Sequence, residues 1–321
     1  MDTGQRSART DWPWCARERR YNEPVLIGLK LDVGFSQDDA CRRLYGKREI
    51  LAFLVGLGVQ AVETAVGPET QADTLRDHVA RCVDAGLKVS LHPYSEGSRF
   101  NPAYFSSDEG NPCRRLHERF LSAAAEIVSL QQFATVVNIH AAAGTSADSR
   151  QYLVERSIAF FVWAGDWCRR NAPQVGVTVE LQISPNPDEP RQRVGDRYTE
   201  LLEVATQGNV AACWDFGHAY WNAHRYGWPL LPPQALLPHI RHVHCHDVHG
   251  SDHQPLLYDT VPWRDFIRLL MDSGYDDRII LEVPPSEFLG AGGVATLIES
   301  LRALRTWIRE CQFHTRPRAD S

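Results

Sequence analysis

From about residue 25 to residue 310, short β-rich apolar runs alternate with stretches whose apolar residues recur at steps of three and four. The runs VLIGLKLD (25–32), AVETAV (61–66), LKVSLH (87–92), TVVNIH (135–140), VGVTVELQI (175–183), NVAACWDF (209–216), HIRHVHCHD (239–247) and RIILEV (278–283) read as strands. Between them the spacing predicts helices. One begins near Ser36, with Asp38 and Asp39 in its first turn, and ends at Gly58. A second carries Leu75, Val79, Cys82 and Val83 and stops at Gly86. A third shows the stripe Leu116, Phe120, Ala123, Ile127 and Leu130. Others cover 149–172, 196–207 and about 262–274, and Val294, Leu297, Leu301, Leu304 and Ile308 mark a terminal helix. The Trp-, Pro- and Leu-rich segment 221–238 predicts only a short helix.

Eight strand–helix units of roughly 30–40 residues favour a single-domain α/β fold, the (β/α)8 TIM barrel, over an open doubly wound sheet. No Gly-x-Gly-x-x-Gly follows the first strand, which argues against dinucleotide binding. The expected division is a polar arm (1–24), a barrel (25–312) and a tail (313–321). The long loops after strand three (93–113) and strand six (219–238) are candidate lids or substrate loops.

Composition narrows the picture. The 321 residues are 43% hydrophobic, which excludes disorder, and 34 Lys+Arg against 40 Asp+Glu leave a net charge of −6. That balance argues against a DNA-coating protein without excluding a locally basic groove. Basic residues on the mouth loops (Arg99, Arg191, Arg193, Arg225, Arg241) are sparse for tracking nucleic acid. The 8 cysteines are scattered singly, no apolar run approaches a membrane span, and the amino-terminal stretch has charges and tryptophans where a signal peptide is apolar. A reducing cytoplasmic setting and a small-molecule substrate are expected, with a homo-oligomer left open.

The polar residues at the strand ends carry the chemistry. In a barrel of this type the site lies at the carboxyl ends of the strands. Strand three ends at His92, four at His140, five reaches Glu180, and six reaches Asp215 with His218 beyond it. Strand seven carries His242, His244 and His246, with His253 in its loop, and strand eight carries Glu282. A single such residue is more often hydrogen-bonded structure than a ligand. Together, several carboxylates in one apolar mouth would repel unless a divalent cation neutralised them. Mixed imidazole and carboxylate donors suit zinc, manganese or iron (cobalt is equally open) better than magnesium. Residues 242, 244 and 246 share a face at period two, and only one layer reaches a common ion, for which His244 is the choice. His242 and His246 are expected to pack or hydrogen-bond around it, and His78, His117 and His314 fall on helices or tail and are set aside. Glu63, Tyr94, Trp214 and His246 are further candidates to line the substrate site, though packing is the default for Trp214.

These residues resemble the xylose-isomerase-like barrel superfamily, which includes endonuclease IV and many sugar isomerases and epimerases. The likeness rests on VTVEL around Glu180, CWDFGHAY with Asp215 and His218, VHCHD with His244 and Asp247, and LEVP with Glu282. The resemblance implies that Glu180, Asp215, His244 and Glu282 hold one divalent metal. It further implies that Glu180 and Glu282 act as acid and base through a metal-stabilised enediolate. His218 would touch substrate. The endonuclease IV pattern adds His92, His140, His218 and His253 as ligands of two or three ions. Its ninth position, an Asp two residues before the loop histidine, is Ser251 here, with Asp252 one place off. The arginine that ketose epimerases carry past the strand-seven histidine is missing from HCHDVHG. The expected function is a metal-dependent isomerase or epimerase of a sugar-like or polyol-like substrate. The alternative is an endonuclease IV-like multinuclear phosphoesterase, and a non-catalytic binding barrel is disfavoured by the intact four-residue set.

Overall fold

The computed structural model describes residues 25–33, 43–44, 50–93 and 99–314. The amino-terminal arm, the start of the first predicted helix, Tyr94, Cys15, Cys41 and residues 315–321 lie outside the described residues.

The strands close into a parallel barrel: β1 (Leu26–Lys30), β2 (Ala61–Val66), β3 (Lys88–Pro93), β4 (Thr135–Ile139), β5 (Val175–Glu180), β6 (Ala211–Asp215), β7 (Ile240–Cys245) and β8 (Arg278–Leu281). Each strand pairs with its sequence neighbours, and β1 closes on β8, with Leu26 opposite Arg278. The protein is therefore a (β/α)8 barrel, as the alternation predicts. Helices α1 (Ile50–Gly56), α2 (Ala72–Asp84), α3 (Pro112–Gln131), α4 (Arg150–Asn171), α5 (Tyr198–Gln207), α6 (Phe216–Tyr226), α7 (Trp263–Asp272), α8 (Pro285–Gly290) and α9 (Val294–His314) follow the strands. Among the described residues no helix is long and apolar enough to cross a membrane, and the six described cysteines are free and buried.

Two elements differ from the sequence expectation for a physical reason. The buried face of α3 is Cys113, His117, Phe120, Leu121, Ala124, Ile127 and Gln131, and Leu130 is 49% exposed. Polar anchors turn the helix: His117 Nε2–H donates to Phe100 O (3.0 Å), and the Gln131 amide oxygen accepts Val89 N–H (2.8 Å). The second difference follows β6. A helix starts at once at Phe216 instead of a loop near 219, because Asp215 caps it by accepting His218 N–H on Oδ1 (2.7 Å).

Two small antiparallel ribbons, unmarked by apolar alternation, build the mouth. Ala143–Thr145 pairs with Arg191–Arg193, and Asp247–His249 pairs with Ser251–Gln254. The loop after β3 is tied to the first ribbon, since Asn101 donates to Ala143 O (2.7 Å) and accepts Ala143 N–H (3.0 Å). Asp247 anchors the segment beyond the second, its carboxylate accepting the N–H groups of Val248, Tyr258, Thr260 and Val261.

Candidate metal centre

The period-two pleat turns alternate residues inward, and at the carboxyl ends those residues are polar. Glu180 ends β5, Asp215 ends β6, His244 lies in β7, and Glu282 follows β8. Each of these four buried residues offers one donor atom, and the four atoms lie within 4.8 Å of one another. His244 Nδ1 is 2.7 Å from Glu282 Oε2, 3.5 Å from Asp215 Oδ2 and 3.7 Å from Glu180 Oε2. Both His244 Nδ1 and Glu282 Oε2 are buried without a hydrogen-bond partner. Orphaned polar atoms facing one another among three buried carboxylates describe a place for a cation. One nitrogen and three oxygen donors fit a divalent ion such as zinc or manganese.

Two further groups share this hub's carboxylates. His92, His140 and Glu180 form one, with His140 Nε2 3.2 Å and His92 Nε2 3.6 Å from Glu180 oxygens. Asp215, His218, His246 and His253 form the other. Asp252 joins it: its Oδ2 lies 3.3 Å from His218 Nε2 and 3.2 Å from His253 Nδ1, and its Oδ1 3.4 Å from His246 Nδ1. Ser251 is exposed. The turn at Gly250 (φ 71°) and a left-handed His253 (φ 54°) reshape the loop so that the carboxylate one place off reaches the histidines. His92 Nδ1–H donates to Asn138 O and His218 Nδ1–H to Leu181 O, both at 2.9 Å, which leaves each Nε2 facing the acids.

The electrostatics follow from this crowding. Burial alone would raise the carboxyls of Glu180, Asp215, Asp252 and Glu282, yet neighbouring imidazoles hold all four below the usual carboxylate range. Burial lowers His218, His246 and His253, but adjacent carboxylates outweigh it and push each up to about 9.

The Asp-x-Gly-His turn needs its glycine. A Cβ on Gly217 would stand 1.9 Å from His246 Cε1 and 2.3 Å from Nδ1, so only glycine lets α6 approach the imidazole.

Above the hub opens a cavity of about 640 Å³. Glu180, Glu282, His92, His140, His218, Asp252 and His253 line it, whereas Asp215 and His244 lie beneath. The remaining candidates sit elsewhere. Glu63 is fully buried below His244, its Oε1 2.7 Å from His244 Nε2 and its Oε2 2.6 Å from His242 Nε2. His246 is buried against Asp215, 3.0 Å from Oδ1. Trp214, next to inward-facing Asp215, points outward and packs on Phe216 and Phe266, with Nε1–H donating to Tyr198 OH. None of these three lines the cavity. Cys213, His242 and His244 also cluster, deeper in the barrel.

Lys30 is a cavity residue the strand-end reading passed over. Its Nζ is 3.0 Å from Glu282 Oε1, and Glu282 is foremost among the carboxylates that raise the ammonium against burial. A lysine closing an otherwise apolar strand is the signal that could have found it.

Solved structures with this fold include L-ribulose 3-epimerase (16% identity, TM-score 0.59, covering 92% of this chain and 100% of that one). Another is D-psicose 3-epimerase from Clostridium cellulolyticum H10 with D-tagatose (12%, 0.58, covering 90% and 99%). A third is the IOLI protein with a bound zinc atom (12%, 0.58, covering 88% and 98%). No curated protein matches the sequence. A family model described as a xylose isomerase-like TIM barrel matches residues 51–311, and the chain belongs to that family.

Proposed function

We propose that the protein is a divalent-metal-dependent isomerase or epimerase of a sugar-like or polyol-like substrate. One observation carries the reading: of the four hub residues, only Glu180 and Glu282 reach the cavity, from β5 and β8 on either side of β6 and β7. A cation held by Glu180, Asp215, His244 and Glu282 would supply a Lewis acid that favours negative charge on a substrate oxygen. The two glutamates flank the space where a carbon next to that oxygen would lie. One would take the proton from one face, and the other, after taking up a proton from solvent in the cavity, would return it to the opposite face; a return to the same face would fall to the first glutamate. Asn138 Nδ2 donates to Glu180 Oε2 at 2.5 Å, and Lys30 Nζ donates to Glu282 Oε1 at 3.0 Å, so both carboxylates are oriented. The neighbours named as ketose epimerases suggest the substrates to try first.

The test is incubation of metal-loaded protein with L-ribulose, D-psicose, D-tagatose and D-fructose in D2O, reading deuterium beside the carbonyl. Exchange that disappears in Glu180→Gln and Glu282→Gln, with metal content retained, supports the proposal. Loss of metal from Glu282→Gln counts against an acid–base role for that residue.

A second reading, a multinuclear phosphoesterase, is favoured by the fixed ring orientations of His92 and His218 and by Asp252 among three histidines. Two or three zinc ions per chain, together with hydrolysis of bis(p-nitrophenyl) phosphate and no ketose exchange, would select it.

A further inference from the structure

Below the hub, Glu63 bridges two histidines with no access to the cavity, and no step of the proposed reaction uses it. We propose that Glu63 is the positioning residue of the metal centre, fixing which nitrogen of His244 faces the ion. This role rests on the metal-dependent reading above.

A neutral imidazole carries one N–H, and only the other nitrogen offers a lone pair to a cation. His244 must therefore choose. Its Nδ1 faces Glu282, Asp215 and Glu180, and its Nε2 faces Glu63 Oε1 at 2.7 Å. A buried carboxylate only accepts, so Glu63 requires the hydrogen on Nε2 and leaves Nδ1 open toward the hub. The carboxylate cannot swing away, because its other oxygen accepts from His242 Nε2 at 2.6 Å and from Ser90 Oγ at 3.4 Å.

Without Glu63 the preference reverses. The hydrogen would move to Nδ1, where Glu282 Oε2 waits 2.7 Å away, and the resulting hydrogen bond would occupy two donor atoms of the hub.

The experiment is cobalt(II) binding to metal-free wild type, Glu63→Gln and Glu63→Leu. Affinity is read by competition with a chromophoric chelator. The paramagnetically shifted, exchangeable ring N–H of the ligated histidine is read by proton NMR. Glu63→Leu is expected to lose about 10–100-fold in affinity, the usual range for removing the partner of a ligating histidine. It should also lose the shifted N–H signal. Glu63→Gln keeps an acceptor oxygen and should retain the signal and most of the affinity. A leucine variant that binds as tightly as wild type overturns the proposal, as does equal loss in both variants. If the leucine variant does not fold, the wild type still decides, because a ring N–H that is lost to rapid solvent exchange in cobalt-loaded protein is not held by a buried acceptor, and this overturns the role of Glu63. A wild type that binds no cobalt overturns the metal-dependent function itself, which separates that failure from a failure of the Glu63 role.

Discussion

His244 Nδ1 and Glu282 Oε2 stand 2.7 Å apart in the barrel mouth, and neither has a hydrogen-bond partner. Such a pair is destabilising while it stays unpaired and becomes stabilising when a cation joins it. Metal should therefore raise thermal stability as well as support activity. At a free ion concentration 100 times the dissociation constant, the gain is about 2.7 kcal/mol. Scanning calorimetry with zinc, manganese or cobalt, and again after EDTA, should show a reversible shift of several degrees; an unchanged midpoint would contradict it.

Asp252, not Ser251, is the acid among His218, His246 and His253. If more than one ion binds, Asp252→Asn should lower the metal content by one ion per chain. Ser251→Ala, at an exposed position, should leave it unchanged. Elemental analysis of the purified variants distinguishes the two.

Gly217→Ala would drive a methyl group into the His246 ring. Overpacking of this kind costs about 1–3 kcal/mol. Urea unfolding should show that loss, and metal uptake by the group around His218 should weaken alongside it, since His246 must move.

His117 gives a pH signature away from the centre. Burial among Phe100 and Phe160 pushes its imidazole down to about 4 in the fold, against 6.5 for a free group. The unfolded chain thus binds the proton first, and stability falls as pH drops from about 6.5 towards 4. At pH 4.5 this one residue should cost about 2–3 kcal/mol relative to pH 7.5. In His117→Phe the pH dependence of urea unfolding should be shallower by that amount, whatever the variant's absolute stability.

How much of this was legible in the sequence depended on periodicity. The barrel was readable because β-rich runs and helical spacing alternate regularly, and the hub residues because each falls at a strand end. What escaped the reading was set by partners distant in sequence. The face of α3 is turned by bonds from His117 to Phe100 and from Gln131 to Val89, so of the predicted stripe Phe120 and Ile127 are buried, Leu116 and Ala123 pack partly on the core, and only Leu130 is exposed. Trp214 could have been placed, since the pleat turns it outward if Asp215 is inward. The ribbons RQR and SDHQ carry no apolar alternation, and nothing local distinguishes Asp252 from a solvated loop acid.

Asp215 closes β6, opens α6 and stands at the junction of two donor groups. Chain architecture and chemistry thus meet in one side chain, but they do not need the same atoms. Asparagine caps a helix about as well as aspartate, while its neutral amide is a poor match for a cation. Asp215→Asn would therefore keep the start of α6 while weakening the hub's hold on a cation.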